Sequence, residues 1–255
     1  MRYKWGIPSY KRSDAPLTVN LLHKLGYSKE DIIVSTQTAE DYKAYSEKQG
    51  DIATVIYREG TNDSINRNTV LNYLSNESVL LLADDDITAF ERLSADGKEL
   101  IPFTDGDELE RYFDLMFMYC VRHNSKLWAW YTVENAFFMK HTIDDKNILN
   151  GTILGVVNDS DVRFDETFDL KGDYEISLRF ISRGMNAIRF NGFVCKAKAY
   201  SKGGCEDARK AGNNDGRFKE LLRRYPTLIK PSHRCGEIKF IGKINHSSEK
   251  ELWKK

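Results

Sequence analysis

The chain has no closely spaced cysteine pair, no long apolar run and no net charge, and it has few prolines. Each lack removes a class of protein. The four cysteines, Cys120, Cys195, Cys205 and Cys235, never fall at CxxC spacing, so neither a zinc ribbon nor a thioredoxin-type motif is present. A chain of 255 residues buries enough surface to fold without disulfides. The thiols therefore read as reduced cysteines of a cytoplasmic protein. No stretch approaches the ~18–20 apolar residues of a membrane-spanning helix, and no membrane partner is expected. The opening MRYKWGIPSY breaks at Gly6 and Pro8 and lacks the apolar core of a secretory signal. With 41% hydrophobic and 30% charged residues, the composition is globular, neither disordered nor fibrous. What is abundant is aromatic: 13 Tyr, 13 Phe and 4 Trp supply bulky core and platform residues.

The zero net charge conceals a split. Residues 171–255 carry 20 Lys and Arg against 9 Asp and Glu, a net +11, whereas residues 1–170 carry 18 against 29, a net −11. Such asymmetry points to a polyanionic partner for the basic third, or to lysines such as Lys250, Lys254 and Lys255 that only solubilise the tail.

The first ninety residues alternate between two hydrophobic periods. Tyr3–Ile7, Ile32–Val34, Ile52–Tyr57 and Val79–Ala83 read as strands. Leu17–Leu25, Ala39–Gln49 and Ile65–Leu74 read as helices, the first two closed by Gly26 and Gly50. Val79–Ala83 is apolar throughout, as a central strand covered on both faces should be. Alternation of this kind predicts a right-handed α/β unit, whose ligands bind beyond the carboxyl ends of the strands. Those ends are polar here: Pro8-Ser9-Tyr10-Lys11-Arg12, Ser35-Thr36-Gln37, Arg58-Glu59 and Asp84-Asp85-Asp86. After Phe90 the pattern loosens. A turn at Asp96-Gly97-Lys98, helices over 107–123, 174–183 and 218–225, strands over 127–133, 153–157 and 187–190, and a loop with a broken helix over 200–216 complete the reading.

Several constellations could carry chemistry. Three adjacent carboxylates at Asp84–Asp86 repel one another and suit Mg²⁺ or Mn²⁺, hard cations that also bind phosphates. In an extended segment Asp84 and Asp86 project the same way and Asp85 faces elsewhere. The plainer reading is a turn or helix-cap cluster. Asp173, with Glu175 two residues on, opens a helix; it is either a cap or a general base facing a substrate hydroxyl. Lys202-Gly203-Gly204 offers a backbone cradle for an anion or a simple turn. Trp128 and Trp130 share a strand face, to stack on a sugar or base or to pack a core. His233 and His246 lie in the basic tail, as ligands to a metal or pyrophosphate or as surface residues.

These pieces, in this order, resemble a GT-A glycosyltransferase. More narrowly, Ile7-Pro8-Ser9-Tyr10, Ala83–Ile87, Leu170–Arg179 and Tyr200–Cys205 resemble the TET/JBP-associated glycosyltransferases, a family found largely in bacteriophages that includes relatives of the base J glucosyltransferase. The resemblance implies a GT-A (Rossmann-like) α/β fold with a mixed central sheet flanked by helices. In it, residues 1–90 form a nucleotide-sugar-binding half ending in the Asp-x-Asp motif. Residues 91–255 of the same continuous domain form the acceptor-binding and catalytic half. It further implies an inverting transfer, with Mn²⁺ or Mg²⁺, from a UDP-sugar (glucose foremost) to the hydroxyl of hydroxymethylcytosine or hydroxymethyluracil in DNA.

By the same resemblance, the donor would be held by Pro8, Ser9, Tyr10, Arg12, Asn66, Arg67, Asp84, Lys202, Gly203 and Gly204. The metal would be held by Asp84 and Asp86 with His233. Asp173, or Glu175, would be the base, a helix N-terminus keeping the carboxylate ionised. Trp128, Trp130, Arg179 and Arg217 would meet the acceptor. Two rival readings accompany this one: a GT-A transferase with a polysaccharide, lipid or protein acceptor, and a non-catalytic nucleic-acid-binding protein of the same fold. A nucleotidyltransferase is disfavoured by a first loop without glycine.

Overall fold

The computed structural model describes residues 2–60, 62–198, 213–233, 237–248 and 252. Its first half is a run of alternating elements: β1 (Trp5–Pro8), α1 (Leu17–Lys24), β2 (Ile32–Thr36), α2 (Ala39–Gln49), β3 (Thr54–Tyr57), α3 (Asp63–Tyr73) and β4 (Val79–Ala83). Local chemistry sets the boundaries. Gly26, at φ +84°, follows the end of α1. Thr38 caps α2 by accepting from the Asp41 N–H at 3.0 Å. Asn62 caps α3 by accepting from the Ile65 N–H at 2.9 Å. The strands pair in parallel in the order β4-β1-β2-β3.

The second half adds β5 (Ile87–Leu93), β6 (Leu100–Pro102), α4 (Gly106–Arg122), β7 (Ser125–Tyr131), β8 (Ile143–Asp144), β9 (Ile153–Val157), α5 (Gly172–Ser182), β10 (Asn186–Ala197), α6 (Asn213–Arg224), β11 (Ile229–Pro231), β12 (Ile238–Phe240) and β13 (His246–Ser247). β9 runs antiparallel to both β4 and β7, and β10 runs parallel to β7. The far half of β10 pairs antiparallel with β5. The sheet is mixed and has 11 strands among the described residues; β11 and β12 form a separate hairpin. The β5–β6 hairpin was not legible in the sequence. Residues along β5 are buried only at Ile87, Phe90 and Leu93, which breaks the strict alternation that marks a half-buried strand. The turn beneath it, with Gly97 at φ +74°, falls where the sequence predicts. No helix among the described residues is long and apolar enough to cross a membrane.

Alternation along each central strand divides the core in two. Trp5, Ile7, Ile32, Val34, Leu81 and Ala83 point into one layer, with α1 and α4. Ile33, Leu80, Leu82, Leu127 and Ala129 point into the other, with α3 and α5. Trp128 and Trp130 do share a strand face, but that face is the one covered by α4. They are 0% and 2% exposed, Trp128 stacks on Phe113 at 5.7 Å, and the Trp130 indole N–H meets the Met116 sulfur at 3.3 Å. The acceptor role expected of them is therefore corrected: they are core residues. Gly155 stands opposite Trp128 in the sheet, and a Cβ there would fall inside the indole. That strand position must be glycine.

Two substitutions test this packing. Trp128→Ala should cost ~3–5 kcal/mol of stability in denaturant unfolding, as for other buried Trp truncations. Gly155→Ala should also destabilise, by overpacking. A Trp128→Ala protein that loses turnover but keeps its unfolding midpoint would return the residue to the acceptor site.

Candidate functional site

The carboxyl ends of β1, β2 and β4 open onto a cleft of about 630 Å³. Because β9 is antiparallel to β4, its start lies at the same edge, and the Asp84 N–H donates to the Thr152 carbonyl at 3.0 Å. The loop after β1, the Gln37–Thr38 link after β2, the first turns of α3, the β4–β5 turn, the Asn150–Thr152 turn, the chain entering α5 and the end of β10 meet there. Of the residues expected to hold a donor, Pro8, Ser9, Tyr10, Arg12, Asn66, Arg67 and Asp84 all line this cleft. Lys202, Gly203 and Gly204 lie outside the described residues.

The three aspartates form a turn rather than an extended segment, and all three line the cleft. Thr18 of α1 pins the turn by donating to the Asp84 carbonyl at 2.6 Å and accepting from the Ile87 N–H at 2.9 Å. The expectation that Asp85 faces elsewhere is corrected. Its carboxylate accepts from the Ser9 hydroxyl and pairs with Arg12. Arg12 also reaches Asp86 at 3.2 Å. Asn66 ties the same loop down, donating to the Ser9 carbonyl at 3.4 Å and accepting from Ser35 at 3.0 Å.

Arg67 is the buried cation of the site, its side chain 4% exposed. It pairs with Asp63 at 2.6 Å and Asp84 at 2.9 Å, while its Nη1 has no hydrogen-bond partner among the described residues. Burial pushes the Asp84 carboxyl up to about 7; Arg67 opposes this, and Asp63, Asp86 and Asp85 add to it. The cleft thus gathers Asp63, Asp84, Asp85, Asp86 and Asp173 around the guanidiniums of Arg12 and Arg67. Hard oxygen donors in excess over cations are what a divalent ion requires. Among the described residues no group of three or more His, Cys, Asp or Glu side chains converges as a ready-made cage.

Asp173 enters the cleft from the first turn of α5. Lys171, at φ +61°, precedes the helix as its cap residue. Asp173 accepts from the Gly151 N–H at 2.7 Å and the Tyr174 N–H at 2.9 Å. Gly151 permits this approach, since a Cβ there would lie 3.1 Å from Arg67 and 3.3 Å from Asp173. The helix-terminus argument predicted a depressed pKa. Burial instead raises it, outweighing Arg67 and the two N–H donors, which makes the carboxylate a stronger base.

Other expected site residues lie elsewhere. Glu175 is 1% exposed and does not border the cleft; it accepts from the Tyr225 hydroxyl at 2.9 Å and faces Arg179 at 3.5 Å. On a helix, positions two apart diverge by about 200°, so Glu175 is a structural residue and not an alternative base. Arg179 shares that face and donates to the Arg163 carbonyl, which corrects its acceptor role. Arg217 pairs with Asp169, a cleft residue, at 2.6 Å. His233 is exposed between β11 and β12 and is not among the cleft-lining residues, which corrects its metal role. His246 donates from Nδ1 to the Asp144 carboxylate of β8 at 2.7 Å. Two parts of the cleft do not stand out in the sequence: Asn150-Gly151-Thr152, although its Asn-Gly pair is a recognisable turn signal, and Asp63 at the start of α3.

The order β4-β1-β2-β3, the antiparallel β9 and the acidic turn after β4 define a GT-A-type nucleotide-diphospho-sugar transferase fold. The chain belongs to the TET-associated glycosyltransferase family, which it matches over residues 3–204. Among solved structures it is similar to a mannosyltransferase from Pyrobaculum calidifontis determined with GDP-mannose and Mn²⁺. That likeness has a TM-score of 0.57 at 15% identity over 87% of this chain and 64% of the other. The chain thus spans just under two thirds of that protein's length. A CMP-2-keto-3-deoxy-manno-octonic acid synthetase complexed with CTP is more distant, at a TM-score of 0.45 and 11% identity over 88% of this chain and 99% of the other. No curated protein matches the sequence at a significant level.

The raised Asp84 carboxyl has a thermodynamic consequence. Between its unfolded value near ~4 and about 7, the native state binds more protons than the unfolded state. Stability in chelator should therefore fall as pH rises through this window. Asp84→Asn should raise the melting temperature at pH 8, with the gain shrinking toward pH 5. A variant less stable than wild type at pH 8 would show that the Asp84–Arg67 pair outweighs the cost of burial.

Proposed function

We propose that this glycosyltransferase moves a sugar, with inversion, from a nucleoside-diphosphate sugar to the hydroxyl of a 5-hydroxymethylpyrimidine in DNA. The observation that carries the reading is the convergence of Asp84, Asp86, Arg67 and Asp173 in one cleft at the carboxyl edge of the sheet. The mannosyltransferase of similar fold was determined with a nucleotide sugar and Mn²⁺, which supports the same type of donor and ion here. The resemblance to phage DNA-base transferases favours UDP-glucose as donor. The family and the +11 of residues 171–255 favour DNA as acceptor.

Asp84 and Asp86 would hold Mn²⁺ or Mg²⁺, which when bound neutralises the diphosphate leaving group as a Lewis acid. Arg67 fixes Asp84, and its Nη1, without a partner among the described residues, would donate to an oxygen of the nucleotide sugar. Arg12 fixes Asp85 and Asp86 and keeps the first loop against the acidic turn. Asp173 takes the proton of the acceptor hydroxyl, a primary alcohol hardly ionised near pH 7, as that oxygen attacks the anomeric carbon. Attack opposite the leaving group inverts that carbon. The target base must leave the stack to reach this half-buried carboxylate in the cleft, or be presented on a single strand.

The acceptor is tested by offering UDP- and GDP-sugars with DNA containing 5-hydroxymethylpyrimidines, unmodified DNA, and free sugars or lipids. Transfer to the modified DNA alone is expected, weakening steeply with salt; transfer only to sugars or lipids overturns the DNA reading. Asp173→Asn should lower kcat by ~10²–10⁴ with donor binding nearly unchanged. Asp84→Asn and Asp86→Asn should each abolish turnover while the fold survives. Full activity in EDTA would sink the metal role.

A further inference from the structure

We propose that the exposed phenyl rings of Phe137 and Phe138 are the nucleobase-contacting element of the acceptor site, lying against the DNA bases beside the one that enters the cleft. The inference rests on the DNA-acceptor reading above. The rings are 84% and 54% exposed, and they pack edge to face with centroids 5.0 Å apart. Burying them would stabilise the fold, yet the chain holds them in water.

It holds them firmly. The Asn135 side chain accepts from the Phe137 N–H at 3.0 Å, and the Asn135 carbonyl accepts from the Phe138 N–H at 3.0 Å. Met139, 5% exposed, anchors the turn in a small cluster with Leu93 and Val194. The Lys140 N–H donates to the Asn191 carbonyl at 3.3 Å. A rigid aromatic pair meets a partner with little ordering cost.

The turn also stands at the right place. β7 and β4 are both antiparallel to β9, so they run the same way, and the chain leaving β7 at Tyr131 emerges at the sheet edge that carries the acidic turn. Glu134, three residues before Phe137, pairs with Lys196 at 3.1 Å. The next residue, Ala197, lines the cleft, and the Lys198 N–H donates to the Asp86 carbonyl at 2.9 Å. The loop therefore begins beside the mouth of the cleft at Glu134 and runs back along β10 to Asn191, carrying the two rings between these points.

Chemistry selects the occupant. Every nucleobase presents a π-face to an aromatic ring. Extruding a base from a duplex leaves a gap that inserted apolar side chains hold open. Exposed Lys140 follows the pair by two residues and exposed Lys198 stands beside the acidic turn, two cations to meet a phosphate backbone that passes from the rings to the cleft. Two rings and Val133, 42% exposed, among exposed Thr132, Glu134 and Asn135 are too small a patch for a stable second copy of this chain, which needs ~800 Å² per partner.

The test compares wild type, Phe137→Ala/Phe138→Ala and Phe137→Trp/Phe138→Trp on a short duplex with one 5-hydroxymethylpyrimidine flanked by 2-aminopurine. The double alanine variant should weaken DNA binding and raise the acceptor KM by about 5- to 150-fold per ring engaged. It should also lose the 2-aminopurine fluorescence rise, while donor affinity and melting temperature stay at wild-type values. The double tryptophan variant should retain both signals. If wild type transfers sugar to DNA and the double alanine variant matches it in KM and fluorescence, the inference fails alone. If the alanine variant instead loses only a concentration-dependent dimer in sedimentation, the rings serve self-association and the inference again fails. A wild type that transfers no sugar to any DNA overturns the acceptor reading, and this inference with it.

Discussion

Burying carboxylates beside one another is costly unless cations answer them, and the edge of this sheet is organised by that requirement. Asp84 sits at the end of a fully apolar strand, close to Asp63, Asp85, Asp86 and Asp173. Arg67, itself buried, answers Asp63 and Asp84. Arg12 answers Asp85 and Asp86. Those contacts also hold the architecture of the cleft: Arg12 ties the loop after β1 to the β4–β5 turn, and Arg67 ties the start of α3 to β4. The remaining excess of negative charge is the feature that a divalent ion and a diphosphate would complete together.

The middle aspartate illustrates how one residue serves both fold and site. Asp85 contacts Ser9 and Arg12, and Ser9 also meets the Tyr45 hydroxyl at 2.5 Å from α2. Three segments distant in sequence are locked at one carboxylate. This leaves Asp84 and Asp86 flanking it in the turn, each held by a different arginine. On the opposite side of the cleft, Gly151 and Asp173 form a second lock between β9 and α5.

Much of this was legible in the sequence. The alternation from β1 to β4 is written in clean hydrophobic periods with glycine stops, and each element of that half lies within a few residues of its predicted place. The loop after β1, the acidic turn and Asp173 could be singled out because the carboxyl-edge rule says where to look. What failed did so for physical reasons. Period-2 alternation puts Trp128 and Trp130 on one face but cannot say that α4 covers it. Spacing along α5 separates Asp173 from Glu175 and Arg179 only once the helix is docked. β8 and β13 are two residues long, too short to carry a period. Asp85 was misassigned because an extended chain was assumed where the structure has a turn.

The central claim is that the cleft binds a nucleoside diphosphate through a divalent ion held by the acidic turn. A crystal structure with UDP or GDP and Mn²⁺, using anomalous scattering to locate the metal, tests it most directly. The account predicts one manganese peak between the carboxylates of Asp84 and Asp86 and the diphosphate, with the guanidinium of Arg67 within hydrogen-bond reach of the ligand. Nucleotide bound in the cleft with no manganese at the turn, or manganese held elsewhere, would contradict it.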